Sequence, residues 1–572
     1  MHRTSRRCLS LVAAAAVTIS LPLTVAAAPG KNGNNGPAGA GPQGRAKDVQ
    51  LQALGTFRTG QFDQGAAEIS SFDPATKQLF VVNAQSGAID VLDASDPVVL
   101  QRSSVIEVAG QRAVDGSVVD EGASVNSVKV HGSFVAVAVQ AADKVSPGWA
   151  LFFSTGGGYL GGVRVGSLPD MVTVTGDGRY ALTANEGEPA DDFSADPEGS
   201  VSIIDLSKGV AGIDQRQVRT ARFTGYDAAR PVPAGVRVFG PDVPVPAGQQ
   251  PVGRVARNLE PEYITVPKGS SKAYVTLQEA NAVATVDLRS ATVSDLWAMP
   301  GKDNSLPRNA FDASDKDGAV NVKTWPTHML MMPDSIASYR YRGTDLLVTA
   351  NEGDAREWGD YAEPIRVKKA KLCAADFPNA AQLQSDANLG RLNMTSTSPM
   401  TGDCYRRIDV FGGRSFSILG TDGTPVFESG DLIERTIANL IADGALPRQA
   451  WNANNTDNDS FDGRSDDKGP EPEGLAIGKV SGRTYAFVGL ERISGVITFD
   501  ITDPRAVRFV DYASNRDFSA DNTALEQDGA GDLGPEGIEF VPADASPDGT
   551  PLVIVANEIS GSTTAYRVQP KR

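Results

Sequence analysis

Short apolar runs with polar residues at alternate positions recur along most of the chain, and Gly, Asp, Asn or Pro closes nearly every one. Alternation with a period of two predicts β-strands, and the punctuating residues predict turns. One stretch shows the plan. A strand at Met171-Val172-Thr173-Val174 meets a turn at Gly176-Asp177-Gly178, then come strands at Ala181-Leu182-Thr183-Ala184 and Val201-Ser202-Ile203-Ile204. Helical spacing occurs from Leu432 to Ala445, where Leu432, Ile433, Ile437, Leu440 and Ile441 share a face. The chain is therefore predicted to be all-β.

The unit repeats. An acidic residue, usually after Pro, opens it, and Asn-Glu or a variant follows its second strand. Copies start at Glu68, Asn126, Asp170, Glu262, Asp334, Glu473 and Glu536. Their second strands run out at Ala84, Gln140, Glu186, Glu279, Glu352, Glu491 and Glu558. One such sheet has a face it cannot bury alone, and stacking sheets around an axis buries both faces, which predicts a seven-bladed β-propeller. The last copy shows three strands, while Val49–Phe57 stands unclaimed before the first copy. That N-terminal strand is expected to complete the last blade and close the ring. Loop and short-helix insertions are placed at about 207–258, 361–404 and 432–468, the first read as an extended loop. Residues 48–570 are read as a single propeller domain.

Within each hairpin the opening acid and the closing Asn-Glu lie at the same end. Repetition around a ring then gathers Asp170, Glu262, Asp334, Glu473 and Glu536 on one rim. Glu186, Glu279, Glu352, Glu491 and Glu558 lie just outside them. Carboxylates held close together raise one another's pKa or recruit cations. An all-oxygen donor set suits Ca²⁺, or another hard divalent ion. Asp170, Glu186, Glu262, Asp334, Glu352, Glu473, Glu491, Glu536 and Glu558 are the candidate ligands. Two Asp-rich loops, Asp312 to Gly318 and Asp457 to Gly463, lack calcium-loop spacing and read as solvated turns.

The formal charge of −17, from 53 Lys+Arg against 70 Asp+Glu, argues against nucleic acid, whose affinity comes from cations on phosphates. Arg3, Arg6 and Arg7 followed by an apolar stretch and Ala26-Ala27-Ala28 read as a signal peptide, residues 1–28. Export by the Sec route is expected, with Ser5-Arg6-Arg7 offering a twin-arginine alternative. Residues 29–47, rich in Gly, Asn and Pro, read as a flexible linker. No later apolar run is long enough to span a bilayer, so a secreted, soluble and monomeric mature chain is expected. Cys373 and Cys404 are expected to form a disulfide, the common fate of two thiols in an exported chain. His131 reads as structural, whereas His328, six residues before Asp334, is the histidine with a catalytic option. Arg356, Arg414, Lys468 and Arg492 stand beside acidic motifs, where they could hold a phosphate or pair with the carboxylates.

The runs Phe411-Gly412-Gly413-Arg414-Ser415-Phe416-Ser417-Ile418 and Asp466-Asp467-Lys468-Gly469-Pro470-Glu471-Pro472-Glu473-Gly474 resemble the choice-of-anchor I family. So do Leu490-Glu491-Arg492 and Gly534-Pro535-Glu536-Gly537. The resemblance implies a WD40/YVTN-like propeller at or outside the cell surface, related to mesenchyme-specific cell surface glycoproteins. This chain stops after its last strand without a sorting motif or tail helix, so release rather than anchoring is expected. Two functions follow. One is an extracellular binding or structural module whose acidic face takes Ca²⁺, mineral, glycan or another protein. The other is a metal-dependent, alkaline phosphatase-like phosphomonoesterase acting on a phosphate ester, with Arg414, Arg492 or His328 in the catalytic roles. The first is preferred, because no residue set demands a nucleophile.

Overall fold

A computed structural model describes residues 48–249 and 252–571. The expected leader and linker, residues 1–28 and 29–47, lie outside the described residues. Among the described residues the chain forms seven four-stranded antiparallel sheets, joined by smaller two- and three-stranded pieces. The first sheet is simple: Ser70–Asp73, Gln78–Asn83, Ala88–Asp93 and Gln101–Glu107 follow one another in space as in sequence. The next five sheets open with Ser124–His131, Pro169–Val174, Ile264–Thr265, Ile336–Tyr341 and Pro472–Val480. Each of the seven repeat starts therefore lies at or just before the first strand of a sheet. The seventh sheet takes Pro535–Val541, Leu552–Asn557 and Ser562–Pro570 from the end of the chain and Val49–Arg58 from its beginning. Val49 pairs with Pro570 and Leu51 with Val568 across that seam.

Both faces of the sheets are buried, which explains why many strands carry apolar residues at every position rather than at alternate ones. In Phe134–Gln140, Val135, Val137 and Val139 pack toward the first sheet with Phe80, Val82 and Ile89. The intervening Ala136 and Ala138 pack toward the third with Val172, Ala181 and Ile204. Large residues fill one gap and small ones the other. Similar clusters join each sheet to the next in chain order. The seventh sheet packs on the first, where Val541, Leu552 and Ile554 meet Phe72, Leu79 and Val81. A buried side chain of this size contributes about 1.5–3 kcal/mol.

The insertion at 207–258 differs from the extended loop expected. It carries the fourth strand of the third sheet, Val218–Arg222, and two short helices, Thr224–Ala228 and Arg254–Asn258. A Pro- and Gly-rich composition hid these pieces, because neither helix is longer than five residues. The expected helix is present as Leu432–Ala442 and packs Ile433 and Ile437 against the fifth and sixth sheets. Residues between the fourth and fifth sheets join the 361–404 insertion in a separate apolar cluster. Phe311, Trp325 and Met329 there meet Leu372, Leu389 and Met394. The disulfide Cys373–Cys404 staples that insertion. Among the described residues no helix is long and apolar enough to cross a membrane.

Candidate functional site

The opening acids occupy equivalent places in their sheets. Strand registers shift between Val125 and Ser127, Pro169 and Met171, Pro472 and Leu475, and Pro535 and Ile538. The residues inside these bulges include Asn126, Asp170, Glu473 and Glu536. A bulge takes its extra residue out of the up-and-down alternation of the strand and re-aims the side chain. Asn126, Asp170, Glu473 and Glu536 consequently line one cavity of about 40 Å³, together with Asp334, which stands just before its strand, and with Ser127, Tyr263 and Ser335.

Glycine after the acid makes this convergence possible. A Cβ on Gly474 would stand 1.9 Å from the Glu536 carbonyl oxygen, and one on Gly537 would stand 2.3 Å from that of Glu68. The Pro-Glu-Gly spelling is thus a packing requirement: each opening strand touches the backbone of the next at its acid. Elsewhere a hydroxyl serves the same join. Thr276 Oγ1 donates to the Asp334 carbonyl at 2.7 Å, and Ser335 Oγ donates to that of Glu473.

The cavity is lined by closely placed carboxyl groups. Burial, reinforced by Glu188, pushes Asp170 up to about 7. Burial, with Glu558 and Asp170 nearby, pushes Glu68 up to about 8. Asp334, Glu473, Glu536 and Glu262 are driven well above the carboxylate range, first by burial and then by one another and by neighbouring acids. Several oxygens lack partners. Glu473 and Glu536 leave Oε2 unbonded, and Ser127 Oγ in the same wall is also free; Glu262, an expected ligand that does not line this cavity, is 6% exposed and likewise leaves Oε2 unbonded.

The outer carboxylates divide. Glu186 senses Glu188, Asp170 and Glu279, and burial raises it well above its usual range. Glu558, beside Arg492 and Glu352, is raised to about 7, chiefly by burial. Glu352 and Glu491 join Glu471, a residue the repeat pattern did not single out, in a triad whose oxygens lie within 4.8 Å of one another. Cationic side chains already neutralise this triad. Lys468 Nζ lies 2.7 Å from Glu352 and 3.1 Å from Glu471, while Arg492 reaches Glu471 at 3.0 Å and Glu491 at 3.1 Å. Burial alone would raise Glu471, but Lys468, Arg464 and Arg492 overcome it and hold the carboxyl well below the usual range. Two of the nine expected ligands are therefore ion-paired.

None of the three catalytic candidates lines the carboxylate cavity. Arg414 is 2% exposed, pairs with Glu434 at 2.9 Å and donates to the carbonyls of Asp312, Ser465 and Asp467. Arg356 is engaged in the same way with Glu260. His328 belongs to the small insertion sheet, against Gly301 and 3.6 Å from Asp409, and burial lowers its pKa. The phosphate-holding role considered for these cations gives way to ion pairing. Sequence reasoning passed over Glu68 and Asn126 as site residues, although both stand at repeat starts; their copies are the weakest matches to the Pro-acid spelling.

A family model described as "Choice-of-anchor I domain" matches residues 68–504. The chain belongs to that family. The matched range opens at Glu68, and Asp170, Glu262, Asp334 and Glu473 fall within it. Among curated proteins, the chain is 30% identical over 280 residues to "Mesenchyme-specific cell surface glycoprotein" of Strongylocentrotus purpuratus, covering 43% of this chain and 35% of that protein. It is 27% identical over 196 residues to "Gigasin-3a" of Magallana gigas, covering 33% of this chain and 67% of that protein. Solved structures with similarity include a streptogramin B lyase at TM-score 0.41 and 10% identity, covering 91% of this chain and 98% of that one. A Kuenenia stuttgartiensis hydrazine synthase chain has TM-score 0.41 and 12% identity, covering 89% of this chain and 98% of that one.

Proposed function

We propose that this choice-of-anchor I chain is an extracellular β-propeller module whose inner carboxylate cavity binds one divalent cation of calcium's class. The ring is read as seven blades closed by Val49–Arg58, on the strength of the packing of the seventh sheet against the first. The observation that carries the cation is the convergence of Asp170, Asp334, Glu473 and Glu536 on a space of about 40 Å³, with buried oxygens of Glu473 and Glu536 unbonded. A space of that size exceeds the roughly 10–15 Å³ that a single water requires, and Ca²⁺ takes about six to eight oxygens at about 2.3–2.6 Å. Asn126, Ser127 and Ser335 supply neutral oxygens around the acids. The disulfide fits an oxidising compartment, and the Strongylocentrotus relative is by name a cell surface glycoprotein. The module's own partner, whether mineral, glycan or protein, would be held by the face that the cation rigidifies. The phosphomonoesterase alternative is not pursued, because its guanidinium groups are engaged elsewhere.

The test is calorimetric titration of the metal-stripped full chain with Ca²⁺ and Mg²⁺, alongside metal content of the protein as isolated. One cavity site is expected, absent from a Glu473→Gln/Glu536→Gln variant that still folds. Binding unaltered in that variant, or no divalent ion bound at all, overturns the reading.

A further inference from the structure

The third and fourth sheets carry a second hollow, of about 140 Å³, at the end away from the acids. In the third sheet the strands Pro169–Val174 and Tyr180–Asn185 have Asp170 and Glu186 at one end, and the turn at 175–179 joins them at the other. In the fourth sheet the loop at 266–271 leads into Lys272–Leu277, and Lys272 pairs with Asp287, next to the turn of Leu288 and Arg289. Arg179 and Tyr180 line the hollow from the third sheet, and Ser271 and Arg289 line it from the fourth.

These four residues bring donors that have no partner. Among the described residues neither the Arg179 nor the Arg289 guanidinium makes a hydrogen bond or an ion pair, and the Tyr180 and Ser271 hydroxyls are unbonded. Arg179 lies over the Tyr180 ring, 5.1 Å from its centroid, a contact that orients a cationic side chain. Arg219 lies over the same ring and donates to the carbonyls of Leu288 and Arg289, which fastens the Arg289 turn to the third sheet.

The carboxylates that sense these cations serve their own turns. Asp177, which also lines the hollow, accepts from Thr175 Oγ1 at 2.6 Å and from the Arg179 amide at 3.1 Å. Asp205 accepts from the Ser207 amide, and Asp287 from the amides of Arg289 and Ser290. Among the described residues none of the three pairs with a guanidinium. A hollow whose free groups are two guanidiniums and two hydroxyls suits a tetrahedral oxyanion, which accepts from several directions and matches the guanidinium fork. A cation is repelled there.

We propose that this hollow is an oxyanion site, which takes the phosphate or sulfate group of a ligand between Arg179 and Arg289, with the Tyr180 and Ser271 hydroxyls as neutral donors. Arg219 is a positioning residue, holding the Arg289 turn in place. The site is separate from the carboxylate cavity and does not depend on a cation bound there. Both arginines are exposed, so the binding is sensitive to ionic strength.

The test is calorimetric titration of the full chain with inorganic phosphate and, separately, with inorganic sulfate, at constant ionic strength and with chelator present. Saturable binding is expected, weakened at least tenfold by Arg179→Gln combined with Arg289→Gln and several-fold by Tyr180→Phe. It should be unchanged by Arg342→Gln, which removes an exposed guanidinium that lies over the Tyr341 ring and does not line the hollow. Tighter binding of phosphate supports the site and assigns it to a phosphorylated ligand; tighter binding of sulfate supports it and assigns a sulfated one. No saturable binding of either ion by folded protein, or binding unchanged in the double arginine variant, overturns the proposal and leaves both arginines as solvated turn residues. Because chelator keeps divalent ions from the carboxylate cavity, this outcome is read separately from the fate of the cation site.

Discussion

Lys468 Nζ sits 2.7 Å from Glu352 Oε1 across 116 residues of sequence and 3.1 Å from Glu471, two members of the triad Glu352, Glu471 and Glu491. An ammonium group thus stands where the repeat pattern led us to expect a metal. It belongs to the family-like run Lys468-Gly469-Pro470-Glu471, in which Gly469 takes a positive φ of 68°. A Cβ there would press on the Arg414 guanidinium at 2.9 Å.

Removing that ammonium should expose the triad. Lys468→Ala leaves buried Glu352 without its ion-pair partner, although Arg464 and Arg492 still hold Glu471 and Glu491, and breaking a buried pair costs about 3–5 kcal/mol. Part of that loss should be recovered on adding Ca²⁺, which can take the place of the ammonium beside Glu352. Chemical denaturation with and without Ca²⁺ measures both effects. Glu471→Gln should cost a similar amount without recovery.

Neutralising the cavity should act in the opposite direction. Glu536→Gln removes an ionisable group whose Oε2 has no partner and whose charged form burial and neighbouring acids oppose, so in the presence of chelator and at alkaline pH it is expected to stabilise the chain by about 1–3 kcal/mol. The same substitution should abolish the stabilisation given by calcium. Urea midpoints in chelator and in Ca²⁺ give the comparison.

The pH dependence has a definite sign. Glu68 and Glu558 rise from an ordinary 4.5 to about 8 and about 7, and Asp170 rises from 3.8 to about 7. Between roughly pH 4 and 8 the metal-free folded chain therefore binds more protons than the unfolded chain, and stability falls as pH rises through that window. Bound Ca²⁺ should flatten the slope and release protons when it binds near pH 6. Thermal midpoints across pH, and calorimetry in buffers of differing ionisation heat, test the two statements. A midpoint that climbs with pH in chelator would contradict the assignment.

The N-terminal strand should matter beyond its length. Leu51 packs with Val568 and Tyr566 at the seam of the seventh sheet, and Leu51→Ala should cost about 2–5 kcal/mol, toward the lower end for an outer strand. Deleting residues up to Arg58 leaves Ser562–Pro570 as an unpaired edge, which should show as concentration-dependent association. Denaturation of the first variant and light scattering of the second check this.

Reduction of Cys373–Cys404 should act locally. The two residues are 31 apart, and closing a loop of that size stabilises by about 3.7 kcal/mol in the chain-entropy account. Hydrogen exchange should quicken within 361–404 and change little in the strands Leu552–Asn557 and Ser562–Pro570.

Strand alternation, turn residues and the recurring Pro-acid spelling are local properties, so the sequence alone determined the all-β class, the starts of the seven sheets, the helix near Ile437 and the positions of the inner acids. Long-range pairing obeys no local rule. Tertiary structure alone decided that Glu352 meets Lys468, while Asp170, Asp334, Glu473 and Glu536 line one cavity that, among the described residues, no Lys or Arg lines. It also decided that Asp312 and Asp462 are buried together around Trp451. The reason is electrostatic and geometric: whether a carboxylate is paired, protonated or metal-seeking depends on which charges lie within a few ångströms. Some of those neighbours, such as Lys468 for Glu352, come from sheets and insertions more than a hundred residues away.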